Sequence, residues 1–178
     1  MQHRLLLIGA IALAACHSSN PAMTPLVSGG FTNSTASPHH GSITPSVGPL
    51  PVEQLARVRS ATARYQDVQT ALKDGYVDID VVLPNMGRHF MKESLVDATF
   101  EVDRPELLVY TQEPQGRLAL VAVEYAVPLS LTATAPDGFK GLADQWFADQ
   151  RFKLWTLHAW VWRENPAGVF NPTNSKVP

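Results

Sequence analysis

Cys16 is the only cysteine among 178 residues, so no intramolecular disulfide can staple this chain. Any folded part must therefore be held by an apolar core. Residues 17–51 cannot supply one. They are dominated by Ser, Thr, Pro, Gly and Asn and contain no Lys, Arg, Asp or Glu. Their apolar residues are isolated, among them Met23, Phe31, Ile43 and Leu50. Such a stretch buries too little surface to offset its chain entropy, and it reads as a disordered linker. Folding is left to residues 52–178, a length of 127 residues that suits a single domain.

Upstream of Cys16, Arg4 precedes an apolar run over 5–15 that only Gly9 interrupts. Eleven residues fall short of the roughly 20 that span a bilayer, and they match the apolar region of an export signal. The segment Leu13-Ala14-Ala15-Cys16 resembles the bacterial lipobox. That resemblance implies cleavage before Cys16, making 1–15 a signal peptide. It also implies acylation of Cys16 by diacylglycerol and a further chain such as palmitate, a stable membrane anchor. The expected address is the bacterial cell envelope. In a Gram-negative cell, His17, standing where an aspartate would favour inner-membrane retention, points to the outer membrane. A flexible tether of about 35 residues gives the domain a mean reach of roughly 30–35 Å. His39-His40 reads as a solvated part of that tether.

Loss of Arg4 with the leader leaves 13 basic and 16 acidic residues, a net charge of −3 with no basic cluster. Nucleic acid is not an expected partner. The anchoring membrane, a small ligand or another envelope protein is.

The domain opens on Pro51 and Glu53, both suited to a first helical turn. Val52, Leu55, Val58, Ala61, Tyr65, Val68 and Leu72 then form one apolar stripe, with Gly75 placed to end it. This predicts one long helix. Beyond it the period falls to two at Val77, Ile79, Val81 and Leu83, a half-buried strand. A turn over 84–87, a short strand over 88–91 and a strand over 107–111 follow. Glu113-Pro114-Gln115-Gly116 makes a hairpin turn into a strand over 117–127. A short helix is expected near 142–150 and a last strand over 153–163. The predicted class is α+β: an antiparallel sheet of about four to six strands, packed by the long helix. The Pro- and Gly-rich stretch 165–174, with Phe170 as a plug, is predicted to cap it irregularly.

The domain holds two histidines, His89 and His158, both in apolar surroundings. Glu124 is the only charge between Arg117 and Asp137, on a face shared with Leu118, Leu120, Ala122 and Ala126. A carboxylate in such a run needs a partner, because desolvating it costs several kcal/mol. If the strands over 117–127 and 153–163 are neighbours, Glu124 meets His158, and His89 enters from the turn at Gly87. Two histidines and a carboxylate suit a divalent metal such as Zn, Fe or Cu. Without metal the same trio suits acid–base chemistry, or serves as a buried polar network in a structural or protein-interaction module. Period two places Leu154, Thr156, His158, Trp160 and Trp162 on one face. Trp160, Trp162, Tyr125 and Phe170 are candidate pocket walls, with core packing as the plainer reading of the tryptophans. The chain has no Gly-x-Ser-x-Gly elbow and no phosphate-binding glycine loop, and its one thiol is assigned to lipid. The expectation is a binding domain rather than an enzyme.

Three segments resemble, in order and spacing, a family of uncharacterised secreted or lipid-anchored bacterial proteins. They are Met86-Gly87-Arg88-His89-Phe90, the Val123-Glu124-Tyr125 strand, and Leu157-His158-Ala159-Trp160 leading into Asn165-Pro166-Ala167-Gly168-Val169-Phe170. The resemblance covers about 115 residues and implies a domain and a site region at His89, Glu124 and His158, with no reaction attached. Phe90 departs from it, standing where a tyrosine is expected.

Overall fold

The computed structural model describes residues 50–141 and 144–178. The leader, Cys16, His39-His40 and nearly all of the linker lie outside the described residues. Among those described, no helix is long and apolar enough to cross a membrane.

The apolar stripe does not form one long helix. It forms α1 (Val52–Thr62), a 3-10 turn (Ala63–Gln66) and α2 (Val68–Lys73). Asp67 makes the break. Its extended backbone, at φ −90° and ψ 109°, lets the carboxylate accept from the Gln69 N–H at 3.0 Å. The Thr70 hydroxyl donates to the same carboxylate, also at 3.0 Å. An Asp in this position competes with helix continuation and starts a new helix instead. The Tyr65 carbonyl is taken by the Tyr110 hydroxyl at 2.6 Å. The interruption also shifts the helical phase, so Ala71 is buried while Leu72, expected on the stripe, is 42% exposed.

Six strands follow: β1 (Val77–Leu83), β2 (Gly87–Met91), β3 (Leu107–Gln112), β4 (Leu118–Pro128), β5 (Phe147–Asp149) and β6 (Leu154–Ala159). They form one sheet in the order β1-β2-β3-β4-β6-β5, and every neighbouring pair is antiparallel. The class is α+β, with the antiparallel sheet its main element. β5 replaces the short helix expected near 142–150. Phe147 and Ala148 pair with Thr156 and Trp155, which gives the open edge of β6 a partner. Pairing across the sheet here overrides local preference. β6 itself stops at Ala159, where the Val161 N–H bonds the Ala159 carbonyl and turns the chain.

The two faces of the sheet are covered differently. Phe90, Leu108, Tyr110, Val123, Tyr125 and Leu157 pack beneath Val58, Tyr65 and Ala71 of the helical segments. Tyr125, Phe139 and Phe170 extend that core, with ring centroids 4.9–5.6 Å apart. On the opposite face Val109, Val121 and Ala122 meet Trp160 and Val177 of the C-terminal stretch. That stretch has no regular element and is laced down by hydrogen bonds. Asn174 N–H bonds the Asn85 carbonyl at 2.7 Å, Asn85 N–H bonds the Pro178 carbonyl at 3.1 Å, and Asn165 Nδ2 bonds the Thr173 carbonyl at 2.8 Å.

Two bulges decide which residues face where. Between Asp78 and Val81 the β1 register advances three residues against one in β2, and Asp80 adopts a positive φ of 56°. In β4 Val121 is the extra residue, because Val109 pairs with Ala122 while Tyr110 pairs with Leu120. The strict alternation expected over 118–126 therefore fails. Leu120 joins the helix-side core, and Ala122 and Glu124 face the other way.

Candidate metal and ligand site

Glu124 and His158 are direct partners across β4 and β6, so their side chains rise from the same face. His89 arrives from β2, two strands further along. The three meet in one buried group: His89 is 3% exposed, Glu124 6% and His158 2%. His89 Nε2 lies 3.5 Å from Glu124 Oε2, and His158 Nδ1 lies 3.5 Å from Glu124 Oε1. One donor atom from each residue falls within 4.8 Å of the other two.

Just past the bulge in β1, the Val81 carbonyl lies 3.1 Å from Nδ1 of the His89 ring. A carbonyl only accepts, so Nδ1 is the donor in this contact and Nε2 is the ring nitrogen turned toward Glu124. Gly87 fixes the start of the same strand. It has a φ of +106°, and a Cβ there would stand 2.5 Å from the Tyr110 carbonyl oxygen. His158 stacks on Trp160, with ring centroids 6.0 Å apart and planes at 16°. Its Nε2 is buried without a hydrogen-bond partner.

Burial dominates the electrostatics. It pushes Glu124 up to about 7, against the lowering effects of His89 and the Thr156 hydroxyl, and nearby Asp149 adds to the rise. Burial likewise pushes His158 down to about 4, so its imidazole is neutral at physiological pH and keeps a free lone pair.

The trio opens onto a cavity of about 250 Å³. Its walls come from both edge strands, Ile79 and Leu83 of β1 and Phe147 of β5, so the sheet curls around the space. None of the four aromatic walls expected from the sequence lines it. Tyr125 and Phe170 lie in the helix-side core, and the Tyr125 hydroxyl donates to the Val102 carbonyl at 2.7 Å. Adjacent residues of a strand face opposite ways, so Tyr125 cannot share a face with Glu124. Trp160 braces His158 from behind and donates through Nε1 to the Asn171 carbonyl. Trp162 leaves that face because the chain bends after Ala159. Its Nε1 donates to Thr62 at 3.0 Å, and Arg59 covers its ring.

The sequence reading missed Thr156, Asp149 and the Val81 carbonyl. Thr156 was legible through its period-two spacing from His158. Asp149 lies in a segment whose local pattern suggests helix, and no local pattern marks which backbone carbonyl a histidine ring will meet.

No family model matches the chain, and no curated protein or solved structure gives a significant match to it.

Proposed function

We propose that this chain is a lipid-anchored protein of the bacterial cell envelope whose α+β domain binds a divalent transition metal through His89, Glu124 and His158. Cys16 is the anchor in this reading, and the outer membrane is its destination if the cell is Gram-negative. The likeness to secreted and lipid-anchored proteins of the same motif order belongs to the same proposal.

The observation that carries the metal reading is the spacing of the donor atoms. Charge-assisted hydrogen bonds draw N and O to about 2.7–2.9 Å, whereas both histidine–Glu124 separations are 3.5 Å. Ligands bound at roughly 2.0–2.2 Å around a tetrahedral ion stand about 3.3–3.6 Å apart, the spacing each histidine nitrogen already has to one of the two Glu124 oxygens. With one oxygen as the ligand, the widest separation, up to 4.8 Å, closes by roughly 1.2–1.5 Å on binding. The tautomer of His89, set by a backbone carbonyl behind it, is the second-shell arrangement that metal-bound imidazoles usually have. Three protein ligands leave a coordination position open to the cavity. Zn, Fe and Cu all accept this donor set.

Metal analysis of the purified chain tests the reading. About one ion per chain is expected in the wild type. Near-total loss is expected in His89→Ala, His158→Ala and Glu124→Gln, each of which should keep its circular dichroism spectrum. Negligible metal in all four proteins, even after incubation with Zn, overturns it. If His89→Ala and His158→Ala unfold while the wild type holds no ion, the trio is the polar network of a structural module.

A further inference from the structure

The space above the trio is far more apolar than a hydrated ion requires. Ten of its fifteen lining residues are apolar, and the polar ones other than the trio are Thr156 and Asp149. The Asp149 carboxylate is already engaged. Its Oδ1 accepts from the Arg151 and Phe152 N–H groups at 2.8 and 3.1 Å, which holds it in the turn after β5.

At roughly 30 Å³ for a water-sized group, a cavity of about 250 Å³ has room for about eight such groups. It does not end there. A second cavity shares Ile79, Met91 and Leu154 with it and continues past Val77 toward Val96. The result is an elongated, mainly apolar trough, with the trio, Thr156 and Asp149 on its first part and Glu93 and Ser94 beyond Met91. Phe147 and Val77 at its margins are 59% and 61% exposed, which presents apolar surface to an entering molecule.

Charge selects the head group. A divalent ion with one carboxylate and two neutral imidazoles as ligands keeps one positive charge that its ligands do not cancel, and the other carboxylate on the walls, Asp149, is held in the turn after β5. Leaving that charge unpaired is costly, and one anionic donor in the open position removes the cost.

We infer that the site takes a monoanionic aliphatic amphiphile, a medium-chain alkanoate, with its carboxylate on the metal and its chain along Ile79, Met91 and Leu154. This inference rests on the metal-binding reading above. No covalent bond is made or broken in it: a coordinate bond from the carboxylate would replace that of a water in the open position.

Calorimetric titration of the full chain carrying Cys16→Ser, which cannot be acylated, tests it with sodium butanoate, hexanoate, octanoate and 1-octanol. Zinc content is measured on the same samples. In the zinc-loaded protein each added methylene should tighten binding about three- to fourfold, on the order of 100-fold from butanoate to octanoate. Octanol should bind at least tenfold more weakly than octanoate, and so should octanoate to the metal-free protein. Phe147→Asp, on the exposed edge strand β5, should weaken octanoate at least tenfold and leave the zinc content unchanged. Equal affinity for butanoate and octanoate, or for octanol and octanoate, overturns the inference. Octanoate binding that ignores the metal overturns the placement of the head group. Zinc bound without any octanoate binding sinks this inference alone, and a wild type without zinc sinks both readings.

Discussion

Two carboxylates are buried in the described domain, and they are set to different ends. Glu124 faces two imidazoles above a cavity. Glu106, 2% exposed, instead accepts a hydrogen bond from the Ala126 N–H at 3.1 Å at the start of β3. Burial pushes Glu106 up to about 8, with Asp97 and Glu101 adding to the rise and the backbone donors opposing it. The folded state therefore holds a proton that the unfolded chain releases near 4.5. The associated stability is fully present below that value and is lost as pH rises toward 8. A displacement from 4.5 to about 8 corresponds to a few kcal/mol at most. Glu106→Gln keeps the acceptor for Ala126 and removes the titration. The variant should match the wild type at pH 4 and be more stable by roughly 2–4 kcal/mol at pH 9. Urea unfolding at the two pH values measures this, and an unchanged difference between the proteins would show that Glu106 does not titrate in this range.

At the scale of elements, the irregular positions build the site. Past the bulge at Ile79 and Asp80, the Val81 carbonyl meets Nδ1 of His89. The Val121 bulge sets the parity of β4 against β3, and the β4–β6 register pairs Glu124, not Tyr125, with His158. Gly87 lets β2 begin against the β3 backbone. Gly87→Ala puts a methyl group within 2.5 Å of the Tyr110 carbonyl oxygen at a φ of +106°. A destabilisation of at least ~1–3 kcal/mol is expected from the backbone alone. Because β2 carries His89, metal content should fall in the same variant even below its melting temperature. A Gly87→Ala protein with wild-type stability and full metal content would show that this close approach is not required. The apolar stripe of the helices, the period-two run of β1 and the Glu113–Gly116 turn were all legible in the sequence, since each is a local pattern. The break at Asp67 was legible in principle, as an Asp followed three residues later by Thr70 at a new helix start.

At the scale of the whole molecule, the curl of the sheet turns six strands into a container. β1 and β5 are the two sheet edges, yet both line one cavity. The C-terminal stretch closes the face behind the trio, with Trp160 against His158 and Val177 against Val109. In the proposed reading this container works at a membrane to which Cys16 ties it. Cells grown with labelled palmitate should label the wild type, and Cys16→Ala should carry no label and leave the membrane fraction. Equal labelling of the two proteins would remove the anchor. The sequence by itself determined that no intramolecular disulfide holds the chain and that residues 52–178 carry the patterns of regular structure. It also determined that the domain is α+β with an antiparallel sheet, and that His89, Glu124 and His158 are its chemically unusual residues. These follow from composition, periodicity and isolation of charge, which are properties of neighbouring residues. Only the tertiary structure decided that the helix is broken, that 147–149 pairs as a strand, that the aromatic residues expected as walls belong to the core or behind it, and that an aliphatic trough opens over the trio. Bulge parity, edge pairing and sheet curl depend on what a strand meets across space, and a one-residue shift in register exchanges the faces of everything beyond it.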